Sequence, residues 1–299
     1  MSFKKIEISI GLIKLKSSFV CLKRIEQPYK NFIEFPGGKK KNNETAIQCL
    51  KREIKEELNI EIDKSKFIAR IKHLYGDVLI TINTFNIHRY SGKITSNENR
   101  EIILFNAKCN LDILPTHNRI LNLLKLPKLI KIVTPDNLDD NRFKNVNLYK
   151  YIRLRDISYS TYKLSILPKL EKFHFQGNLI IDFPYNKDWN DKYNGVHYKS
   201  CYLENFDYHE KRSEYIYSAS CHTLNDILIS NKKLFDFITI SPILKPHDIF
   251  KPIGWDNFNI LSRESYVPTY ALGGVTSKGT DLMSCLYNQG FGLAGISSM

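Results

Sequence analysis

The sequence predicts an α/β chain of two domains: a mixed sheet with helices on its faces, then a parallel barrel of eight strands. Its 299 residues are enough for two cores of ordinary size. Early in the chain, strand-like alternation surrounds one amphipathic helix. Later, eight short apolar runs alternate with helical or loop stretches, as in a (β/α)8 barrel. We place the domains at residues 1–127 and 128–299.

The first domain should begin with a hairpin. Residues 6–15 and 19–23 alternate as strands do, and a further strand ends at Glu34-Phe35. After the turn Pro36-Gly37-Gly38, apolar residues recur at helical spacing from 45 to 58. The other predicted elements are strands at 67–75, 78–88 and 102–105 and a closing helix at 118–126.

The second domain should form the barrel. Its predicted strands are 130–134, 151–155, 179–183, 195–198, 215–220, 237–241, 269–272 and 293–296. The domain is short for this fold, and the eighth strand lies almost at the end of the sequence. We therefore expect a TIM-like barrel that lacks its last helix.

Three glutamates lie on one edge of the predicted helix. Glu56 and Glu57 lie three and four positions after Glu53, so the three carboxylates can point at one small volume. A cation would relieve their repulsion, and three carboxylates suit Mg²⁺ or Mn²⁺. The alternative is a surface helix with pairs of lysine and glutamate. We disfavour it because the preceding glycine turn and the spaced acidic residues would have to coincide by accident.

The segment from Gly38 to Ile60 resembles the signature of Nudix hydrolases. It reads GKKKNNETAIQCLKREIKEELNI, with Asn59 where the family has glycine. Asn is a mild replacement because it tolerates the left-handed conformation that often ends a helix. The first domain is most similar to the MutT-type branch, which hydrolyses 8-oxo-dGTP to 8-oxo-dGMP and diphosphate. This resemblance implies a Nudix α/β/α sandwich and a nucleoside triphosphate substrate.

The resemblance also implies roles for particular acidic residues. A divalent metal would be held by Glu53, Glu56, Glu57, Glu98 and the carbonyl of Gly37. Glu53 is the first candidate for the base that activates water and Glu98 is the second. Glu44 is a further acidic candidate, although support of the loop suits it better. Glu101 competes with Glu98, and either one could be a solvated loop residue.

Substrate contacts are implied for Arg24, Phe35, Gly38, Lys39 and Asn118. Arg24 and Lys39 would lie near the phosphates, and Phe35 would line the base pocket. Asn118 would read the purine edge, since its amide offers a donor and an acceptor together. The alternative for Asn118 is the N-cap of the closing helix.

Motifs in the second domain resemble those of thiamine phosphate synthases and their TenI-like relatives. They are Gly195-Val196-His197, the run from Ser218 to Thr223, Ile240-Ser241-Pro242-Ile243, the run from Ala271 to Val275, and the run from Gly292 to Ile296. The resemblance implies a phosphate site formed by Arg155, Ser220, Gly273, Gly274 and Gly295. The glycines are alternatively plain turn residues.

This second resemblance has departures. Ile181-Asp182 stands where synthases carry Asn-Asp, Ile157 stands where a basic residue is expected, and Tyr202 lies near the place of an acidic metal ligand. We expect a phosphorylated small molecule to bind with or without synthase turnover, and a sensing or regulatory module is the alternative to an active synthase. His197 and His222 either serve that ligand or are hydrogen-bonded histidines at strand ends.

Composition limits the remaining classes of function. The formal charge of +13 would attract polyanions such as nucleotides, although lysine, isoleucine and asparagine are abundant throughout and indicate a composition bias. No nucleic-acid-binding module is recognisable, so no specific nucleic-acid partner is predicted. The six cysteines lack CxxC spacing, which argues against a zinc site or a disulfide framework. Without a membrane span or a signal peptide in the sequence, we expect a cytoplasmic protein.

Overall fold

The computed structural model describes residues 4–106, 109, 111–189, 192–212, 214–246, 250–277 and 279–296. The chain divides into two compact units, Met1–Leu124 and Lys125–Met299. Each unit is described by itself. Within the described residues, no helix combines the length and the apolar character needed to cross a bilayer.

The first unit is a mixed sheet with helices. Its elements are β1 (Lys4–Leu15), β2 (Ser18–Lys23), β3 (Ile33–Glu34), β4 (Gly37–Lys39), α1 (Ala46–Leu58), β5 (Glu61–Tyr75), β6 (Val78–Ser91), β7 (Ile102–Phe105) and α2 (Pro115–Leu123). The strand order is β3-β2-β1-β6-β5, with β4 paired to β1 and β7 paired to β2. The pair β1 and β6 is parallel and the other pairs are antiparallel. The predicted hairpin and mixed sheet are confirmed.

Helix α1 begins and ends as its sequence predicts. Thr45 is the N-cap: its hydroxyl accepts from the Gln48 N–H at 3.3 Å, and the Gln48 side chain accepts from the Thr45 N–H at 2.8 Å. Its apolar side, which includes Leu50 and Ile54, is fully buried against the sheet. Asn59 follows the helix with φ of +57°, the left-handed conformation expected of its position.

Helix α2 and strand β5 start three or more residues before their predicted positions. Helix α2 starts at Pro115, three residues before the predicted start, because proline suits the first turn of a helix. Strand β5 starts at Glu61 and not at 67. Its pairing with β6 shifts register between Ile62 and Lys64 and again between Phe67 and Ala69, which breaks the alternation that marks a strand in sequence.

The second unit is a closed parallel barrel. Its strands are β8 (Leu129–Val133), β9 (Tyr151–Leu154), β10 (Asn178–Phe183), β11 (Gly195–Tyr198), β12 (Ile216–Cys221), β13 (Phe237–Ile240), β14 (Thr269–Leu272) and β15 (Gly292–Gly295). They close in the order β10-β11-β12-β13-β14-β15-β8-β9. All eight predicted strands are present, each within one residue at either end.

Helices of the barrel are unevenly distributed. They are α3 (Asp140–Phe143), α4 (Tyr159–Thr161), α5 (Leu167–Lys172), α6 (Leu224–Lys233), α7 (Gly254–Glu264) and α8 (Asp281–Tyr287), and a π-helical turn (Tyr162–Ile166) joins α4 to α5. Between β10 and β12, the only helices formed by the described residues are short 3-10 helices. Aromatic side chains cover this part of the sheet: Phe183 stacks on Tyr198 at 4.6 Å, and Phe206 stacks on Phe235 at 4.4 Å.

Candidate active site

A tight turn brings the backbone of β4 against the acidic edge of α1. Gly37 has φ of +139°, and a Cβ there would lie 2.1 Å from the carbonyl oxygen of Ser9, so only glycine fits. A Cβ on Gly38 would lie 2.5 Å from the carboxylate of Glu53. The two glycines therefore let the Glu53 carboxylate lie directly on the turn.

Arg52 binds three carboxylates on the exposed side of this turn. Its Nε and Nη2 donate to the two oxygens of Glu44 at 2.6 and 3.0 Å. Its Nη1 donates to Glu53 at 2.7 Å and to Glu56 at 3.0 Å, and Nη2 also donates to the Lys39 carbonyl at 3.0 Å. The hydrogen bonds from Arg52 lower the pKa of Glu44 to about 2. Glu44 thus lies in a supporting position beneath Arg52.

Glu57 is held separately, in a buried position. Its side chain is 8% exposed, its Oε2 accepts from the Gly37 N–H at 2.8 Å, and its Oε1 accepts from Arg100 at 2.7 Å. Burial raises the pKa of Glu57, against the lowering effects of the Gly37 hydrogen bond and the Arg100 charge; Glu98 and Glu34 raise the pKa further.

The three helix glutamates do not converge. Glu53 and Glu56 face Arg52, whereas Glu57 faces Arg100. Across the described ranges, no group of three or more acidic, histidine or cysteine side chains is arranged to hold a metal ion. Two guanidinium groups therefore supply positive charge beside the carboxylates for which the sequence predicts a cation.

The donor set still fits a hard divalent cation. Glu53 and Glu56 reach the same Arg52 nitrogen, so their carboxylates stand close together. The backbone of Gly37 is tied to the same helix, because its N–H donates a hydrogen bond to the Glu57 carboxylate. Carboxylate and carbonyl oxygens are what Mg²⁺ and Mn²⁺ prefer.

A loop over residues 92–101 adds a fourth carboxylate. Thr95 N–H donates to the Leu58 carbonyl at 3.1 Å and Asn97 N–H donates to the Glu57 carbonyl at 3.2 Å, which satisfies the last carbonyls of α1. Glu98 then lies 3.8 Å from the Arg100 nitrogen that holds Glu57. Glu101 instead pairs with Lys23 at 3.0 Å. Of the two alternatives, Glu98 is the one on the Glu57 side.

The expected substrate residues lie in different surroundings. Arg24 donates to Glu34 at 2.9 Å and to the Pro28 carbonyl at 2.9 Å. Lys39 has an exposed side chain. Asn118 is exposed in the first turn of α2, whose N-cap is Leu114, so the N-cap interpretation of Asn118 is wrong.

Phe35 lies in the core and not on an accessible pocket wall. It is 2% exposed, packs edge-on against Phe19 and stacks on His117 at 5.4 Å. Nδ1 of His117 accepts a hydrogen bond from the Phe35 N–H at 2.9 Å, so this nitrogen carries no proton. Burial, with a smaller effect of Arg24, lowers the pKa of His117 to about 3.

Within the barrel, Ser220 joins a buried histidine. The His197 ring lies between the hydroxyls of Ser218 and Ser220, each at 2.8 Å. Burial lowers the pKa of His197 well below its usual value, and the charges of Arg153 and Arg155 lower it further. His197 is therefore a neutral, hydrogen-bonded residue of the barrel interior.

The other barrel candidates lie at strand ends. Arg155 is near Asp156, at 3.4 Å. Gly273 and Gly274 have φ of +99° and +78°, and a Cβ on either would meet the segment from Pro242 to Lys245 at less than 3 Å. Gly295 ends β15. The close packing of neighbouring loops therefore requires both of these successive glycines.

Asp182, the acidic residue left from the synthase pair, is already paired. Arg153 binds it through two hydrogen bonds of 2.8 and 3.1 Å, and both side chains are less than 10% exposed. This ion pair uses both carboxylate oxygens.

Comparison with known proteins finds relatives of two kinds. A model of the NUDIX domain matches residues 6–107. The 8-oxo-dGTP diphosphatase of Proteus vulgaris is 32% identical over 97 residues, which are 32% of this chain and 87% of that protein. The enzyme of the same name from Buchnera aphidicola subsp. Schizaphis graminum is 36% identical over 96 residues, 32% of this chain and 72% of that protein. This chain belongs to the Nudix family.

The rest of the chain has a relative of another kind. A putative thiamine-phosphate synthase 2 of Aquifex aeolicus is 38% identical over 85 residues, 28% of this chain. The match spans 45% of that protein, so it covers less than half of the relative's length. The chain therefore joins a Nudix hydrolase unit, which acts on phosphoanhydride bonds, to a thiamine-phosphate-synthase-like barrel. Nudix hydrolases generally use divalent metals.

Sequence reasoning missed the basic side of the Nudix site. No role was predicted for Arg52, Glu34 or Arg100. Spacing could have shown the Arg52 contact, because Glu56 is four positions further on the same helix face. Arg100 is distant in sequence from both of its carboxylate partners.

Proposed function

We propose that the chain is a Mg²⁺- or Mn²⁺-dependent diphosphatase that converts 8-oxo-dGTP and water to 8-oxo-dGMP and diphosphate. Removal of oxidised dGTP would make it an antimutator that protects DNA replication. The observation that carries the proposal is the Glu53 carboxylate, which lies on the Gly38 backbone within hydrogen-bonding distance of Arg52. The names of the Proteus and Buchnera relatives support the substrate.

Acidic side chains of this site have distinct tasks in the proposal. Glu53, Glu56, Glu57, Glu98 and the Gly37 carbonyl would hold the divalent cation. When bound, that cation offsets the charge of the phosphate oxygens. Glu53 accepts the proton of the attacking water at Oε2, because Arg52 holds its Oε1 at 2.7 Å and fixes the orientation of the carboxylate.

Basic and amide side chains would place the nucleotide. Arg24 and Lys39 attract the phosphates, and Arg24 is oriented by Glu34 at 2.9 Å. The exposed amide of Asn118 offers a donor to O6 and an acceptor to N7–H of the oxidised base. Ordinary guanine has an acceptor at N7, and once the bound base shields the amide from water, leaving it unpaired costs about 1–3 kcal/mol.

A nucleotide panel tests this function. Diphosphate release is measured from 8-oxo-dGTP, dGTP, CTP and a nucleoside diphosphate derivative with wild type, Glu53→Gln and Glu61→Gln. Glu61 is the matched control, since it is exposed and pairs with Lys55 outside the site. We expect Glu53→Gln to lower kcat by roughly 100-fold or more. Equal rates on dGTP and 8-oxo-dGTP would refute the sanitising role and favour another nucleotide.

For the barrel, we propose binding of a phosphorylated small molecule through Arg155, Ser220, Gly273, Gly274 and Gly295. The paired state of Asp182 favours a binding or regulatory role over synthase turnover, because both of its oxygens are engaged by Arg153.

The barrel proposal is tested on the full chain. Incubation with Mg²⁺, thiazole phosphate and the pyrimidine diphosphate substrate of synthases should give no thiamine phosphate, while the phosphorylated thiazole should raise the melting temperature. Clear product formation would replace this proposal with an active synthase.

A further inference from the structure

Arg100 is a buried cation among the carboxylates of the Nudix site. We propose that it is a positioning residue that neutralises Glu57 and Glu34 in the absence of a divalent cation and competes with that cation for Glu57. The inference rests on the proposed metal dependence and assigns a new role to one residue of this chain.

Each nitrogen of the Arg100 guanidinium donates a hydrogen bond. Its Nη1 donates to Glu57 at 2.7 Å, its Nη2 donates to Glu34, and its Nε donates to the Lys23 carbonyl at 3.3 Å. The side chain is 8% exposed. It therefore joins α1, β3 and the end of β2 through one planar group.

Burial makes this bridge strong. Buried carboxylates need a partner, because removing one member of a buried charged pair leaves the other uncompensated. The fork of a guanidinium can bind two carboxylates at fixed angles, whereas an ammonium is a point charge. Glu34 also binds Arg24, so an alternating row of charges runs from Arg24 through Glu34 and Arg100 to Glu57.

A divalent cation must share Glu57 with this bridge. One oxygen of Glu57 accepts from Gly37 and the other from Arg100. A cation bound there would be repelled by the guanidinium at short range, in a site with little water to screen it. Arg100 thus stabilises the fold before the metal binds and weakens metal binding afterwards.

Arg100 also contacts two residues of the loop that carries Glu98. The Arg100 N–H donates to the Ser96 hydroxyl at 2.9 Å, and Glu98 lies 3.8 Å from the guanidinium. One guanidinium nitrogen of Arg100 thus contacts Glu57 on α1 and lies near Glu98 in the loop, so Arg100 links the acidic edge of α1 to the fourth acidic group.

The test compares Arg100→Gln and Arg100→Lys with wild type and with Lys23→Gln. Lys23 is the matched control, because its exposed side chain pairs with Glu101 at the edge of the same loop. Mn²⁺ affinity is measured from the free-ion EPR signal, and melting temperature is measured in EDTA and in saturating Mn²⁺.

We expect Arg100→Gln to melt lower than wild type in EDTA, to bind Mn²⁺ at least about tenfold more tightly, and to gain more melting temperature from Mn²⁺. Arg100→Lys keeps the charge and should bind Mn²⁺ within about threefold of wild type. If Arg100→Gln unfolds in EDTA, Mn²⁺ should restore its circular dichroism spectrum.

Two outcomes overturn the inference alone: Mn²⁺ binding by wild type with no tighter binding by Arg100→Gln, or an Arg100→Gln chain that stays unfolded in saturating Mn²⁺. A purely structural role would give equal losses of melting temperature with and without metal. Failure of wild type itself to bind Mn²⁺ would instead refute the proposed function, and this inference with it.

Discussion

Gly38→Ala should remove activity and leave the fold intact. The three atoms nearest to an added Cβ all belong to the Glu53 carboxyl group, at 2.5 to 2.6 Å. Ordinary contact starts near 3.4 Å, so the carboxylate must move by about 1 Å, and a displacement of that size in a catalytic group costs roughly 100-fold in rate. Because the end of a flexible side chain moves easily, stability should change by less than about 1 kcal/mol.

Gly37→Ala provides the contrast. Its Cβ would clash with the Ser9 carbonyl at 2.1 Å and would force alanine to φ of +139°, so we expect a loss of about 3 kcal/mol or more. Urea unfolding and diphosphate release from 8-oxo-dGTP are measured for both variants. If Gly38→Ala keeps wild-type kcat, the Glu53 carboxylate at this position is not the base, and the mechanism proposed above is refuted.

Four further variants test buried polar groups by urea unfolding. Burial lowers the pKa of His117 in the folded protein to about 3, so the unfolded chain takes up this proton first as the pH falls below 6.5. The free energy of unfolding of wild type should therefore fall by about 2 kcal/mol between pH 7 and pH 5, and that of His117→Gln should not show this loss. Equal pH slopes would contradict this. Asp182→Asn leaves Arg153 charged and buried, so the free energy of unfolding should fall by about 3–5 kcal/mol. The double variant Asp182→Leu with Arg153→Met should recover most of that loss. No recovery would show that the ion pair itself stabilises the barrel. Among the described residues, the Thr84 hydroxyl is buried without a hydrogen-bond partner, so Thr84→Val should stabilise the protein by about 1 kcal/mol, and a destabilised variant would reveal a partner.

Elements with a clean period were predictable from sequence. Helix α1 has its cap, its apolar stripe and its left-handed end within one short segment, and each is a local property. The barrel strands were found because they are buried on both faces and read as apolar runs. Strand β5 was partly missed, since its register shifts hide the alternation over its first residues.

The candidate site divides in the same way. The acidic residues Glu53, Glu56 and Glu57 were predicted as a group because helical spacing places them near one another. Their arginine partners were not, because Arg100 meets Glu57 across 43 positions and Glu34 across 66, and no local pattern reports such a contact. The burial of Phe35 likewise depends on α2, which reaches it from the far end of the unit.

Hydrogen bonds from the Arg52 guanidinium hold both ends of the lysine-rich stretch between β4 and α1. Arg52 holds the Lys39 carbonyl before it and the Glu44 carboxylate after it, whereas Lys41, Asn42 and Asn43 are exposed. A lengthened stretch costs little in chain entropy when its ends stay fixed. A short peptide tag or a reporter dye grafted between Asn42 and Asn43 would open the turn from Lys41 to Glu44, but Arg52 would still hold Lys39 and Glu44, so the graft would report nucleotide capture beside the acidic edge.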